Sequence, residues 1–343
     1  MATLKDIANE CGISPQTVSR ILNSKHDHLY RKETCDLVKQ TARKMNYRPN
    51  LSAQAIRSGK SKAIVLLSSQ DPSLSHIPEK MLYSIRSTLG ELGYSMEMSA
   101  LSMHADDGQK ELERILANEH ISGILVSISK SIPDWLKASL NNSSVPTVWI
   151  GSRHESNCII HNDFESARDI TLQLISSGHR SITYVDYMAS EEERESWHFS
   201  TLERMEGYKS AMMESNLAPC IICPGKTICQ NEMVAYTSAN IFSNGNIPSA
   251  IITYDMEITG RACLYSALKN GLNIPEDLSF VTYSSKPVIE NDLFLACFVP
   301  SQKNVGYVAV AMLHDLISGQ CKNIPAKELN FAFVKGESIA VKN

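Results

Sequence analysis

Ile13-Ser14-Pro15-Gln16-Thr17-Val18-Ser19-Arg20-Ile21-Leu22-Asn23 carries the signals of a helix start followed by an amphipathic helix. Ser14 is suited to cap a helix, because its hydroxyl can accept from an unpaired N–H of the first turn. Pro15 then falls at the first helical position, where a missing N–H costs nothing. Val18, Ile21 and Leu22 recur at helical spacing and form the stripe to be buried. The opposite face carries Gln16, Thr17, Ser19, Arg20 and Asn23, all hydrogen-bonding and none acidic. Upstream, Leu4, Ile7, Ala8 and Cys11 mark a first helix, and Gly12 permits a tight turn between the two. Two short helices joined by a glycine turn, the second exposing Gln and Arg near its start, predict a helix-turn-helix.

A third apolar stripe, Val38, Thr41, Ala42 and Met45, predicts a helix over Lys32 to Asn46. It runs into Tyr47-Arg48-Pro49-Asn50, where Pro49 disfavours helix at Arg48. Leu51 to Arg57 is a further short helix-capable segment. Thr3-Leu4-Lys5-Asp6-Ile7-Ala8, Gly12-Ile13-Ser14, Thr17 to Asn23 and Tyr47 to Asn50 together resemble the DNA-binding region of the lactose/galactose repressor (LacI/GalR) family. The order and spacing match almost throughout.

Charge is unevenly spread. Residues 1–62 carry 12 Lys and Arg against 5 Asp and Glu, whereas the remainder carries 21 against 32, giving the net −4. A basic head on an acidic body points to nucleic acid at the head alone. The length suggests two or three domains. No apolar run is long enough for a membrane span, and no signal peptide is expected at the N-terminus. Nine scattered cysteines suit a reducing cytoplasm, which is the expected location. Cys220-Ile-Ile-Cys223 lies in an apolar, strand-like run with Cys229 as its one near neighbour, so buried structural thiols are expected rather than a metal site. No cofactor is implied, and no catalytic constellation stands out. Glu191 to Glu195 reads as a solvated loop or helix start.

From Ala63 the pattern changes to apolar runs alternating with amphipathic helices, and it restarts near Asp163, the expected cap of a helix to Ser176. Such βαβα alternation implies parallel sheets covered by helices on both faces, here in two successive α/β units with a cleft between them. Gly178-His179-Arg180, Arg204-Met-Glu-Gly207-Tyr208 and Gly271-Leu-Asn-Ile-Pro275-Glu276-Asp277 also resemble family segments. The fold class expected is thus an all-α helix-turn-helix domain (1–48), a hinge helix or linker (49–61), and a two-lobed α/β body like the periplasmic binding proteins (62–343). By analogy the chain crosses between lobes three times. The first lobe is expected over about 62–161 plus 293–324, and the second over 162–292 plus 325–343.

The resemblance implies a sequence-specific regulator, a repressor, acting as a homodimer on double-stranded operator DNA and answering to a small-molecule effector of the sugar or sugar-acid class. Gln16, Thr17 and Arg20 would contact base edges and phosphates, since an amide can grip adenine and a guanidinium guanine bidentately. Thr3, Ser14, Ser19, Asn23, Lys25, Arg31 and Thr34 are candidates for phosphate contacts. Pro15 stands where many members carry a larger, base-reading side chain, and Arg31 replaces a small capping residue. Asn50, Ala53, Ile56 and Arg57 would belong to a hinge helix that enters the minor groove, with Ile56 as its apolar wedge. A small packed helix is the other reading of Ala53 and Ile56. In the cleft the resemblance places Ser68, Gly151, Arg204, Tyr254, Asp255 and Ser284 at effector-contact positions, although Asp255 also reads as a helix cap. Gly151 and Ser284 stand where acids are common, so an unopposed Arg204 and an effector with an acidic group, or one bound through fewer hydroxyls, are expected. The alternatives are a regulator without an effector and a solute-binding protein on the same body.

Overall fold

The computed structural model describes residues 3–22, 29–45, 47, 63–75, 77–188, 197–226, 228–243 and 247–342. Two compact units divide the chain, residues 1–61 and 62–343. The expected contacts Asn23, Lys25, Asn50, Ala53, Ile56 and Arg57, and the acidic run 191–195, lie outside the described residues.

The first unit holds α1 (Leu4–Cys11), α2 (Pro15–Leu22) and α3 (Lys32–Lys44). Thr3 and Asp6 form a reciprocal capping box on α1. Gly12 closes that helix in the left-handed conformation at φ 65°, which turns the chain without a Cβ penalty. The Ser14 hydroxyl accepts from the Thr17 amide at 3.0 Å and so caps α2 as its sequence predicts. Arg31 precedes α3 with no side-chain cap, in keeping with the loss of a small capping residue there. Ile7, Val18, Ile21 and Val38 are fully buried and meet in a core separate from that of the body. Burying side chains of this size stabilises by about 1.5–3 kcal/mol each.

The body contains two sheets. In the first, β1 (Ala63–Ser69), β2 (Ser95–Leu101), β3 (Ile121–Val126), β4 (Thr147–Ile150), β5 (Cys158–His161) and β12 (Lys327–Leu329) run parallel in the order β12-β5-β4-β3-β1-β2. The continuous apolar run of β1 is explained by its two buried faces: Ile64 and Leu66 join one core, Val65 and Leu67 the other. Helices α4 (Glu79–Glu91), α5 (Ala105–Leu116), α6 (Asp134–Asn141) and α11 (Gln302–Ile317) cover this sheet.

The second sheet has β6 (Ile182–Val185), β7 (Cys220–Ile222), β8 (Ala250–Thr253), β9 (Ser279–Tyr283), β10 (Val288–Glu290) and β11 (Leu293–Pro300) in the order β10-β11-β9-β8-β6-β7, with β13 (Phe331–Val334) paired to β11. Its helices are α7 (Asp163–Ser176), α8 (Phe199–Glu214), α9 (Gln230–Thr237) and α10 (Arg261–Lys269). A Cβ at Gly207 would fall 2.1 Å from the Phe164 carbonyl oxygen, so only glycine lets α8 approach the start of α7 so closely.

Three expectations need correction. Strand β11 belongs to the second lobe, because it pairs in parallel with β9, and β12 belongs to the first, because it pairs with β5. The crossings therefore fall after His161, after Pro300 and after Leu329. Asp163 is not the cap of α7: the Asn162 side chain accepts from Glu165 N–H instead. Cys220 is exposed and Cys223 half-buried rather than both buried, since β7 is an edge strand with one flank free of the sheet.

The head's separate core yields a direct prediction. Ile21→Ala should cost about 2–5 kcal/mol of head stability. Heating followed by circular dichroism should show the head's helices melting early while the main transition of the body stays in place.

Candidate functional site

The exposed face of α2 presents Gln16 and Arg20, with Thr17 and Ser19 partly covered at its flanks. The burial of Val18 and Ile21 fixes which way that face points. Thr3, Ser14, Pro15 and Arg31 are exposed and Thr34 is half-buried. The hydroxyls of Ser14 and Thr17 lie 2.8 Å apart, so both are partly engaged in the cap. Asp6, which the sequence reading passed over, is held below the usual carboxylate range by the Thr3 amide and hydroxyl. The described face is therefore a set of amide, hydroxyl and guanidinium donors on a helix held rigidly by its own core.

In the body, the candidate residues gather at the carboxyl ends of strands, where open α/β sheets place their ligand crevices. Arg204 on α8 is 12 % exposed in its side chain and reaches three elements. Nε donates to Asp163 Oδ1 at 2.6 Å, and Nη1 donates to the Tyr254 carbonyl at 2.7 Å. Its guanidinium carbon sits 3.7 Å from the centroid of the Tyr283 ring and 4.7 Å from that of Tyr254. Burial opposes the charge and is the largest single influence, but Asp163 and the surrounding Tyr254, Tyr283 and Tyr184 together outweigh it, and the guanidinium is held above its ordinary range. The expected unopposed Arg204 is thus wrong. Asp163, 3 % exposed, supplies the opposing charge.

The other candidates divide. Tyr254 joins Arg204, and its hydroxyl lies 2.9 Å from Ser200 Oγ. Ser200 Oγ in turn lies 2.6 Å from His198 Nδ1, and His198 Nε2 lies 2.8 Å from the Gly151 carbonyl. With Nδ1 also accepting from the Ser200 amide, His198 is the neutral tautomer carrying its proton on Nε2. Gly151 follows β4 in the first lobe, so this relay spans the lobes. A second bridge runs from Arg153 to Glu203 at 2.5 Å, with Arg153 lying over the Phe199 ring. Asp255 turns away: its carboxylate accepts from the Ile258 and Thr259 amides and caps the turn before α10. Ser68 Oγ points to the Ser99 carbonyl at 3.4 Å, and the Ser284 amide donates to the Phe298 carbonyl at 3.0 Å. Neither serine bonds to the Arg204 group.

The reading missed Asp163, His198, Arg153 and Tyr283 as members of this arrangement. Gly207 was the available signal, since a glycine one turn after Arg204 implies a close helix–helix approach. Two surface hollows lie elsewhere in the second lobe. One of about 550 Å³ is lined by Arg180, Ser249, Asp277 and Lys342, and another of about 890 Å³ by Lys226, Cys229, Glu232 and Tyr236. Neither contains an effector-site candidate.

Comparison with known proteins agrees with the fold. Residues 3–50 match the model described as bacterial regulatory proteins of the lacI family, and residues 171–339 match a periplasmic binding protein-like domain. The chain belongs to the LacI/GalR family of transcription regulators. The HTH-type transcriptional repressor PurR of Vibrio campbellii is 26 % identical over 84 % of each chain. Catabolite control protein A of Staphylococcus aureus is equally similar, again over 84 % of each chain. Among solved structures, the lac repressor dimer bound to operator and the anti-inducer ONPF aligns over 99 % of both chains with a TM-score of 0.78 at 22 % identity. The CelR–cellobiose complex aligns over 98 % of this chain with a TM-score of 0.62. These likenesses establish the fold.

Two predictions follow from the site. Arg204→Ala would leave Asp163 buried and unpaired, so it should destabilise the body by about 3–5 kcal/mol, read by urea unfolding. Burial holds His154 near 4 and His198, His161 and His179 below their ordinary 6.5. These imidazoles are neutral when folded but take protons in the unfolded chain below about pH 6.5, so the unfolded state binds more protons. Body stability should therefore be full above that pH and fall as pH drops towards 4. His154→Gln should make the fall in melting temperature between pH 6.5 and 4.5 shallower.

Proposed function

We propose that this regulator is a sequence-specific DNA-binding repressor that works as a homodimer, each protomer placing α2 in the major groove of one half of a near-palindromic operator. The observation that carries the reading is the exposed pair Gln16 and Arg20 on a helix whose other face is locked into the head's core. Exposed apolar side chains support self-association, among them Tyr83 on α4 at 74 % and Met98 on the edge strand β2 at 56 %. A small polar effector of the sugar or sugar-acid class, bound between the lobes, would shift their relative orientation and so change operator affinity.

One observation favours a second reading, in which operator affinity does not depend on an effector. Arg204 is already neutralised by Asp163, and the cleft is already bridged by His198 and Arg153. Calorimetric titration of sugars and sugar acids, with operator affinity measured in parallel, separates the two. A solute-binding role alone is tested by removing residues 1–61, after which DNA binding should vanish while any ligand binding survives.

Arg20→Ala and Gln16→Ala should each weaken specific binding by about 1–3 kcal/mol per half-site and relax sequence preference there. Fluorescence anisotropy on operator and scrambled duplexes measures both. Unchanged affinity and preference in both variants would remove α2 as the reading helix.

A further inference from the structure

Asp163 opens α7 two residues after β5 ends at His161, so it stands at a crossing between the lobes. The Asn162 amide at that crossing donates to the Leu329 carbonyl, where the chain crosses again. A carboxylate placed here has an ordinary explanation as a helix cap, but Asn162 performs that task. Stability explains little, because a buried ion pair seldom outperforms apolar residues of the same volume. The carboxylate instead bonds Arg204, whose guanidinium is stacked on Tyr283 and tied to the Tyr254 carbonyl. Among the described residues, its hydrogen bonds use Nε and Nη1.

Building on the reading of the cleft as an effector site, we propose that Asp163 is an internal ligand of Arg204, and that the effector carries a carboxylate or phosphate group that takes its place. A planar guanidinium accepts either acid with the same fork of N–H donors. Exchange of acids would release the first crossing from α8 and β8, which is the step that lets bound ligand alter the angle between lobes. The released carboxylate would remain near a second polar side chain. His161 lies within reach of its charge, and the buried His161 Nε2 has no hydrogen-bond partner among the described residues. Asp163 therefore lowers the apparent affinity for the effector, because every binding event must first break the internal pair.

Inorganic phosphate at constant ionic strength is the probe, followed by thermal shift on the full chain. Asp163→Asn keeps an oxygen for Arg204 Nε–H and removes the competing charge. Its half-saturating phosphate concentration should be about tenfold or more below that of the wild type. In the wild type, phosphate should accelerate amide hydrogen exchange across residues 162–166. Equal half-saturation in both proteins, or no phosphate effect on wild-type melting and exchange, overturns the proposal. Should Asp163→Asn fail to fold, the wild-type exchange result decides alone. Operator affinity separates this inference from the reading beneath it. Tighter phosphate binding and faster exchange with unmoved operator affinity would uphold the competition and remove the effector reading. A small molecule that changes operator affinity while leaving exchange at 162–166 unaltered would do the reverse.

Discussion

A buried guanidinium has to be neutralised, and much of the second lobe's cleft-facing end follows from that requirement at Arg204. Desolvating a charge costs several kcal/mol unless it is paired and hydrogen-bonded. Asp163 supplies the pairing, the Tyr254 carbonyl a second acceptor, and the Tyr283 and Tyr254 rings the stacking. Each partner comes from a different element: the start of α7, the end of β8 and the end of β9. The ion pair thus fixes how the helices of one face meet the strand ends. Gly207 makes it sterically possible, because any side chain there would strike the backbone at Phe164 and hold α8 away.

Around this pair the lobes touch through polar side chains rather than through a continuous apolar core. The four large cores of the body are confined to the two faces of each sheet. Between the sheets run single bonds, from His198 to Gly151, Arg153 to Glu203 and Gln302 to the Ser285 carbonyl. Interfaces of this kind are easier to rearrange than packed cores, which have few alternative arrangements. The head is arranged by the same logic on a smaller scale. Its three helices share one core of their own, so the face bearing Gln16 and Arg20 is set by local packing.

Much of this was legible in the sequence. Helical spacing of Leu4, Ile7, Val18, Ile21 and Val38 determined the head, since apolar residues three and four apart can be buried only on one side of a helix. The run Ala63 to Ser68 and the alternation after it determined parallel sheets, since a strand that is apolar throughout has no face for water. Ser14 as a cap and Gly12 as a turn were likewise local facts, decided by neighbours within a few residues.

Tertiary structure decided what depends on residues far apart in the chain. Whether β11 joins the first or the second sheet turns on its pairing with β9, and no periodicity within Leu293–Pro300 encodes that partner. Cys220 looked buried because its strand is apolar, but β7 lies at an edge, a matter of sheet order alone. Asp163 and Arg204 are 41 residues apart, so the carboxylate read as a cap and the guanidinium read as unopposed. Asp255 carried both readings, effector contact and cap, and folding chose the cap by bringing two free amides to its oxygens. Local pattern fixes which face of an element is buried. Charge balance in a cleft is a sum over distant groups, and only the folded chain brings them within range of one another.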